Sequence, residues 1–270
     1  MFTKLLAYEI RSRFRTDARS FGALIAVIAV AAGIVAAGLP GISGSTATLA
    51  YALCALTPVA CAIAAMADYW KTLYGQRGYF TMSLPISGRV IFWAKNTRIA
   101  IECLLALALA VGGIIAVASA AAWSDGISLA EYTAGPRSLV AGVPTSTVVI
   151  MIVVQVLVWL SWGVLGCAVM SIGAQGRFNH LGFGAPIIGF VLVYIVNQVL
   201  AMVGTFFIPL SITTDGHFST EIMWTSFQAT MGTDAQPDVI GLGSYILVPL
   251  FALAMGLWAS HSIEKHTSLR

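Results

Sequence analysis

A chain of 270 residues that is 59% hydrophobic and 9% charged is not built as a water-soluble domain, in which about a quarter of residues carry charge. A net charge of +3, divided among widely separated segments, gives no basic face for a nucleic-acid partner. The four cysteines, Cys54, Cys61, Cys103 and Cys167, lie inside or at the end of apolar runs; they read as small buried hydrophobes, not as metal ligands or a disulfide framework.

Taken along the chain, residues 1–20 come first. On a 100° wheel Phe2, Leu6, Ile10 and Phe14 form one stripe, and Lys4, Arg11 and Arg15 gather nearly opposite, with Arg13 misplaced on the apolar edge. That pattern predicts a cytoplasmic amphipathic helix lying in the membrane interface. Behind it, no Asp, Glu, Lys or Arg occurs from Phe21 through Ala67. This run is long enough for two spans, and the turn-forming Leu39-Pro40-Gly41-Ile42-Ser43-Gly44-Ser45 divides it into a tight hairpin, 21–39 and 47–67.

A cytoplasmic connection at 68–95 follows, with Tyr69, Trp70, Phe92 and Trp93 as aromatic anchors and Ser87 as a possible N-cap. The remaining spans are predicted at 97–122, 147–171, 183–209 and 239–260. Between the last two lies an outward segment, 210–238, too polar to span; its Met223, Trp224 and Phe227 among acids suit a re-entrant dip, a small cap or a solvated loop. Pro58 and Pro249 should kink the second and sixth spans. Gly163 and Gly166 allow close helix approach, and the amides Gln155, Asn197 and Gln198 suit helix–helix bridging better than substrate contact.

The fold expected is therefore an all-α membrane protein with six transmembrane helices. Thirteen of its fourteen basic residues fall in alternate connections together with both ends, leaving Arg137 on the other face. By the positive-inside rule both termini are cytoplasmic. The one acid within the spans is Glu102, and Arg98, one turn earlier on the same helix face, makes a local ion pair its expected role.

No catalytic, cofactor-binding or metal site is expected. A phosphate-cradling loop needs Gly-Lys-Ser or Gly-Lys-Thr at its end, and Gly41-Ile42-Ser43-Gly44-Ser45-Thr46 lacks the lysine. Any ATP would be bound by a partner subunit.

The string Tyr74-Gly75-Gln76-Arg77-Gly78-Tyr79-Phe80-Thr81-Met82-Ser83-Leu84-Pro85-Ile86-Ser87 resembles the first cytoplasmic loop of small bacterial ABC transporter permeases, six-helix subunits of the type-2 exporter class. The amphipathic first segment and the outward segment before the last span are similar too. The resemblance implies a multi-pass protein of the bacterial cell membrane that pairs with a second permease copy or a sister permease. A separate ABC ATPase would dock on Tyr74, Gly75, Arg77, Gly78, Tyr79, Phe80, Leu84 and Pro85, and the interfacial helix would rest on membrane lipids. Two other classes share the topology: the substrate-binding membrane subunit of a vitamin importer, and a non-transporting scaffold or immunity protein.

Overall fold

The computed structural model describes residues 1–75, 78–83, 85–182, 184–233 and 235–265, apart from the side chains of Tyr79, Phe80, Arg177, Asn179 and His180. Six helices are long and apolar enough to cross a membrane. They are α1 (Phe2–Ala36), α2 (Ser43–Leu73), α4 (Gly88–Ser124), α7 (Thr145–Gly173), α8 (Gly184–Phe207) and α10 (Ser244–Lys265). The short helices α3 (Gly78–Ser83), α5 (Leu129–Tyr132), α6 (Ala134–Ser138) and α9 (Met223–Thr230) lie in the connections. The chain forms two compact units, one of residues 1–69 and 93–139, the other of residues 70–92 and 140–270.

Several predicted boundaries are corrected. The interfacial helix and the first span are one unbroken helix, α1, of 35 residues. Nothing between Arg19 and Leu24 stops it: a lone glycine, Gly22, costs a helix about 1 kcal/mol and does not break it, and no proline is present. Helix α2 runs on to Leu73 and α4 begins at Gly88, so much of the expected loop 68–95 is helix. The bilayer fixes the length of an apolar window, about 30 Å; a helix ends where its backbone bonds and tertiary partners end. At 35, 31 and 37 residues, α1, α2 and α4 measure roughly 45 to 55 Å at 1.5 Å per residue and overshoot that window. Phe183, the expected start of the fifth span, lies outside the described residues.

In the first unit α1 and α2 are joined by a tight turn that uses two left-handed glycines, Gly38 at φ 63° and Gly41 at φ 76°, a conformation glycine adopts without steric cost. The Ser43 hydroxyl donates to the Leu39 carbonyl at 2.9 Å. The core above the turn gathers Ile28, Ala50, Cys54 and Val117, and Gly113 brings α4 so close that a Cβ there would overlap the Cys54 sulfur.

In the second unit α10 packs on α7 and α8, and α7 packs on α8. Gly173 seats Pro186 and Gly189 seats Val169, so small residues set the helix spacing as in other membrane bundles. Of the three amides, Gln155 bridges helices, accepting from the Tyr245 hydroxyl at 3.2 Å. Gln198 instead donates to Tyr194 on its own helix at 3.4 Å, and Asn197 is buried. Pro58 and Pro249 sit inside continuous helices.

The segment before α10 is a folded cap. It carries a three-stranded antiparallel sheet in the order β2-β1-β3, with β1 at Ser211–Thr213, β2 at Phe218–Ser219 and β3 at Val239–Gly241. The expected start of the sixth span, Val239, is therefore strand. Trp224 and Phe227 of α9 stack at 5.9 Å and meet Phe206 edge-on at 5.9 and 5.7 Å. The cap rests directly on the α8 backbone, because a Cβ at Gly241 or Gly243 would collide with Thr205 or Gly204.

Candidate functional sites

The connection between α2 and α4 folds back on itself. Helix α2 closes with Tyr74 and Gly75 both donating backbone N–H to the Trp70 carbonyl, at 2.8 and 3.2 Å, and the Gly78 N–H returns to the Gly75 carbonyl at 2.8 Å. The Thr81 hydroxyl of α3 then donates to the Thr72 carbonyl at 3.1 Å, holding α3 against the end of α2. Trp70 and Tyr74 stand 5.2 Å apart by ring centroids. Gly75 is not among the left-handed glycines of the described residues. Gly75 serves by closeness instead: a Cβ would press on the Lys71 carbonyl.

Of the predicted docking residues, Gly78 is buried, Tyr74 half-buried and Pro85 exposed. Arg77 and Leu84 lie outside the described residues, as do the side chains of Tyr79 and Phe80. Ser87 stands at the N-cap position of α4, its carbonyl accepting from the Ile91 N–H at 3.2 Å. In the same unit Arg89 meets Glu264 of α10 at 3.4 Å, and Gly88 lies against the backbone of Glu264.

The N-terminal half of α1 is oriented by charge. Phe2, Ile10 and Phe14 are exposed, Leu6 is half-buried, and Lys4, Arg11 and Arg15 are exposed. The inward row is Leu5, Glu9, Arg13 and Asp17, spaced four residues apart on one helix face. Arg13, which spoiled the apolar stripe, pairs with Asp68 of α2 at 2.8 Å. Glu9 accepts from Lys95 of α4 at 2.9 Å.

At the centre lies Arg98, 2% exposed. One terminal nitrogen donates to Glu102, the other to Asp68 at 3.2 Å, and its Nε faces Glu9 at 4.0 Å. The expected Arg98–Glu102 pair thus exists, as one edge of a cluster that ties α1, α2 and α4 together. Three acidic side chains, Glu9, Asp68 and Glu102, thus stand against three basic ones, Arg13, Lys95 and Arg98. A buried charge persists when paired and hydrogen-bonded; each cation here has a carboxylate partner, while the Nε groups of Arg13 and Arg98 are buried without a hydrogen bond.

Beside the cluster, within the first unit, α1 and α2 with Glu102 of α4 line a half-open pocket of about 330 Å³. Its walls are apolar, with Phe21 and Leu24 from α1 and Leu53 and Ala60 from α2, while Arg13, Asp17 and Glu102 stand at one end. Asp17 of α1 and Glu102 of α4 both line it. Sequence reading missed both cavity and cluster, because Glu9, Asp68 and Lys95 are far apart in the chain; the spacing of Glu9, Arg13 and Asp17 on one face was the available signal. Comparisons with family models, with curated proteins and with solved structures return no match to this chain.

Proposed function

We propose that this chain is the membrane-spanning permease subunit of an ABC transporter of the export class, with both termini in the cytoplasm of a bacterial cell. Two six-helix units, identical or sister chains, enclose the pathway, and a separate ATPase drives it. The observation that carries this reading is the connection between the second and third spans. A plain link would need a few residues; here a short helix is folded back on α2 by the Thr81–Thr72 bond, and Arg89 anchors the chain leaving it to Glu264. Such a preformed element suits docking of another protein, since little ordering entropy remains to be lost on binding. Closure of the partner on ATP then biases a two-state tilt of the helices.

The orientation has its own check. Reporters fused at Arg270 or within residues 74–87 should read cytoplasmic, and reporters after Asp125 or Asp215 external; an external signal from the Arg77 region sinks the assignment. For coupling, Tyr79→Ala with Phe80→Ala should leave insertion intact and weaken ATPase association. An aromatic anchor at an interface centre contributes about 2 kcal/mol, roughly a thirtyfold change in affinity. Quantitative pull-down with a co-expressed neighbouring ATPase, beside nucleotide-driven transport in vesicles, reads the effect. Unchanged binding and unchanged coupling would overturn the docking role.

A further inference from the structure

One polar pair of the second unit faces away from its own helices. Gln198, in the middle third of α8, is exposed, and Tyr194 one turn earlier is 54% exposed. The Gln198 amide nitrogen donates to the Tyr194 hydroxyl at 3.4 Å, and among the described residues neither side chain bonds to another helix. Gln155 of α7, by contrast, uses its carbonyl on Tyr245 of α10. Hydrocarbon offers no donor or acceptor, so an amide left facing it is costly.

The pair belongs to a longer row. Ile187, Val191, Tyr194, Gln198, Ala201 and Thr205 follow one another at spacings of four, three, four, three and four, the repeat that keeps one helix face against a partner over several turns. Ile187 and Val191 are more than half exposed, and Ala201 and Thr205 half-buried. The residues that α8 turns to its own unit are others: Pro186, Asn197 and Gly204 are buried, about 100° round the helix from the row. Helix α8 therefore uses one stripe on α7 and α10 and leaves a second, with coiled-coil spacing, uncovered. Ala201 and Thr205, four residues apart at the later end of this row, are small enough to let two helix backbones approach closely.

We propose that this row of α8 is the surface on which two copies of this chain meet, packed in parallel about a two-fold axis with Gln198 against the partner's Gln198. An amide carries both a donor and an acceptor and is complementary to itself. A second copy, inserted in the same orientation, brings the same row to the same depth, and the two-fold sets like residue opposite like. A lipid chain supplies neither hydrogen-bonding group. One polar position within an apolar row also fixes register. The assignment deepens the permease reading by naming where its two units join, and rests on that reading for the pathway they enclose but not for the pairing.

The test uses the full chain, purified without any ATPase, in phosphatidylcholine vesicles. Energy transfer between copies labelled at the N-terminus with donor or acceptor, followed as the protein is diluted into lipid, gives the dimer affinity. The expected result is a saturable dimer, weakened about tenfold in Gln198→Leu. Val199→Phe, exposed on α8 about a third of a turn from the row, should pair as the native chain does. A second reading needs no loss of affinity: under copper-phenanthroline oxidation Val191→Cys should give a disulfide-linked dimer, while Val199→Cys and the native chain, whose cysteines all lie outside α8, should not. A native chain that stays monomeric at every dilution would overturn the proposal. So would a Gln198→Leu dimer as tight as the native one, or linkage of Val199→Cys as ready as that of Val191→Cys. ATPase association is read separately by pull-down. A monomer that still captures an ATPase strikes this surface alone, and a dimer that captures none strikes the permease reading alone.

Discussion

Replacing Arg98 by Ala should be the most damaging single substitution in the first unit, with a loss of about 3 to 5 kcal/mol, the range for removing one partner of a buried ion pair. The reason is the number of groups that depend on it. Arg98 is 2% exposed and faces Glu9, Asp68 and Glu102, one from each of α1, α2 and α4. Without it three carboxylates share Arg13 and Lys95, and Glu102 loses its partner. Arg98→Lys should recover less than half of the loss, because an ammonium is a point charge and cannot reach two carboxylates in the forked geometry of a guanidinium. Thermal unfolding of the purified chain in detergent measures both. Arg98→Ala combined with Glu102→Gln should lose less than the sum of the two single changes, since groups in direct contact are not additive. An Arg98→Ala chain that melts with the wild type would show that the cluster contributes nothing to stability.

Gly243→Val should detach the cap. A Cβ at this position would overlap the Gly204 carbonyl and the Ile208 side chain, and two further methyls cannot be placed without moving β3 off α8. Overpacking of a close contact costs typically 1 to 3 kcal/mol, and here the obstacle is backbone, which yields less than a side chain, so a loss of about 3 kcal/mol is expected. The φ angle is not the cause, because Gly243 is not among the left-handed glycines. The Leu242 N–H to Leu210 carbonyl bond at 2.7 Å should break with the displacement, and so should the packing of Phe206 on Trp224. Limited proteolysis reads the change: residues 210–238 should become cleavable in the variant while the helices stay protected. Ala at the same position, with no branches, should give a smaller effect of the same kind.

Much of the membrane architecture could be read directly because lipid imposes it on composition. Charge-free runs of bilayer length, broken by Pro40, Gly41 and Gly44, mark spans whatever the tertiary fold. The ends of those spans were misjudged where charge turned inward. Lys95 and Arg98 look like a basic approach to a helix, yet both are buried and lie within α4. The pairing of Arg98 with Glu102 was legible at a spacing of four; Glu9 with Lys95 was not, since the two meet through packing alone. In the cap, strands of three, two and three residues are too short for alternation to show.

The ion cluster also bears on the order in which the protein can be made. Every member, from Glu9 to Glu102, is translated before any residue of α7. The basic residues that direct insertion do so while unpaired, as each segment leaves the ribosome; Glu9, Arg13 and Asp68 then wait for α4. Once Arg98 and Glu102 arrive, three of the basic residues are tied into the fold. Domains made first generally fold first, and a charge clasp completed this early ties α1, α2 and α4 together before the later helices are made. A cation missing from the clasp is therefore felt during synthesis, as a first unit that stays open to lipid and to membrane proteases while the second is still being built.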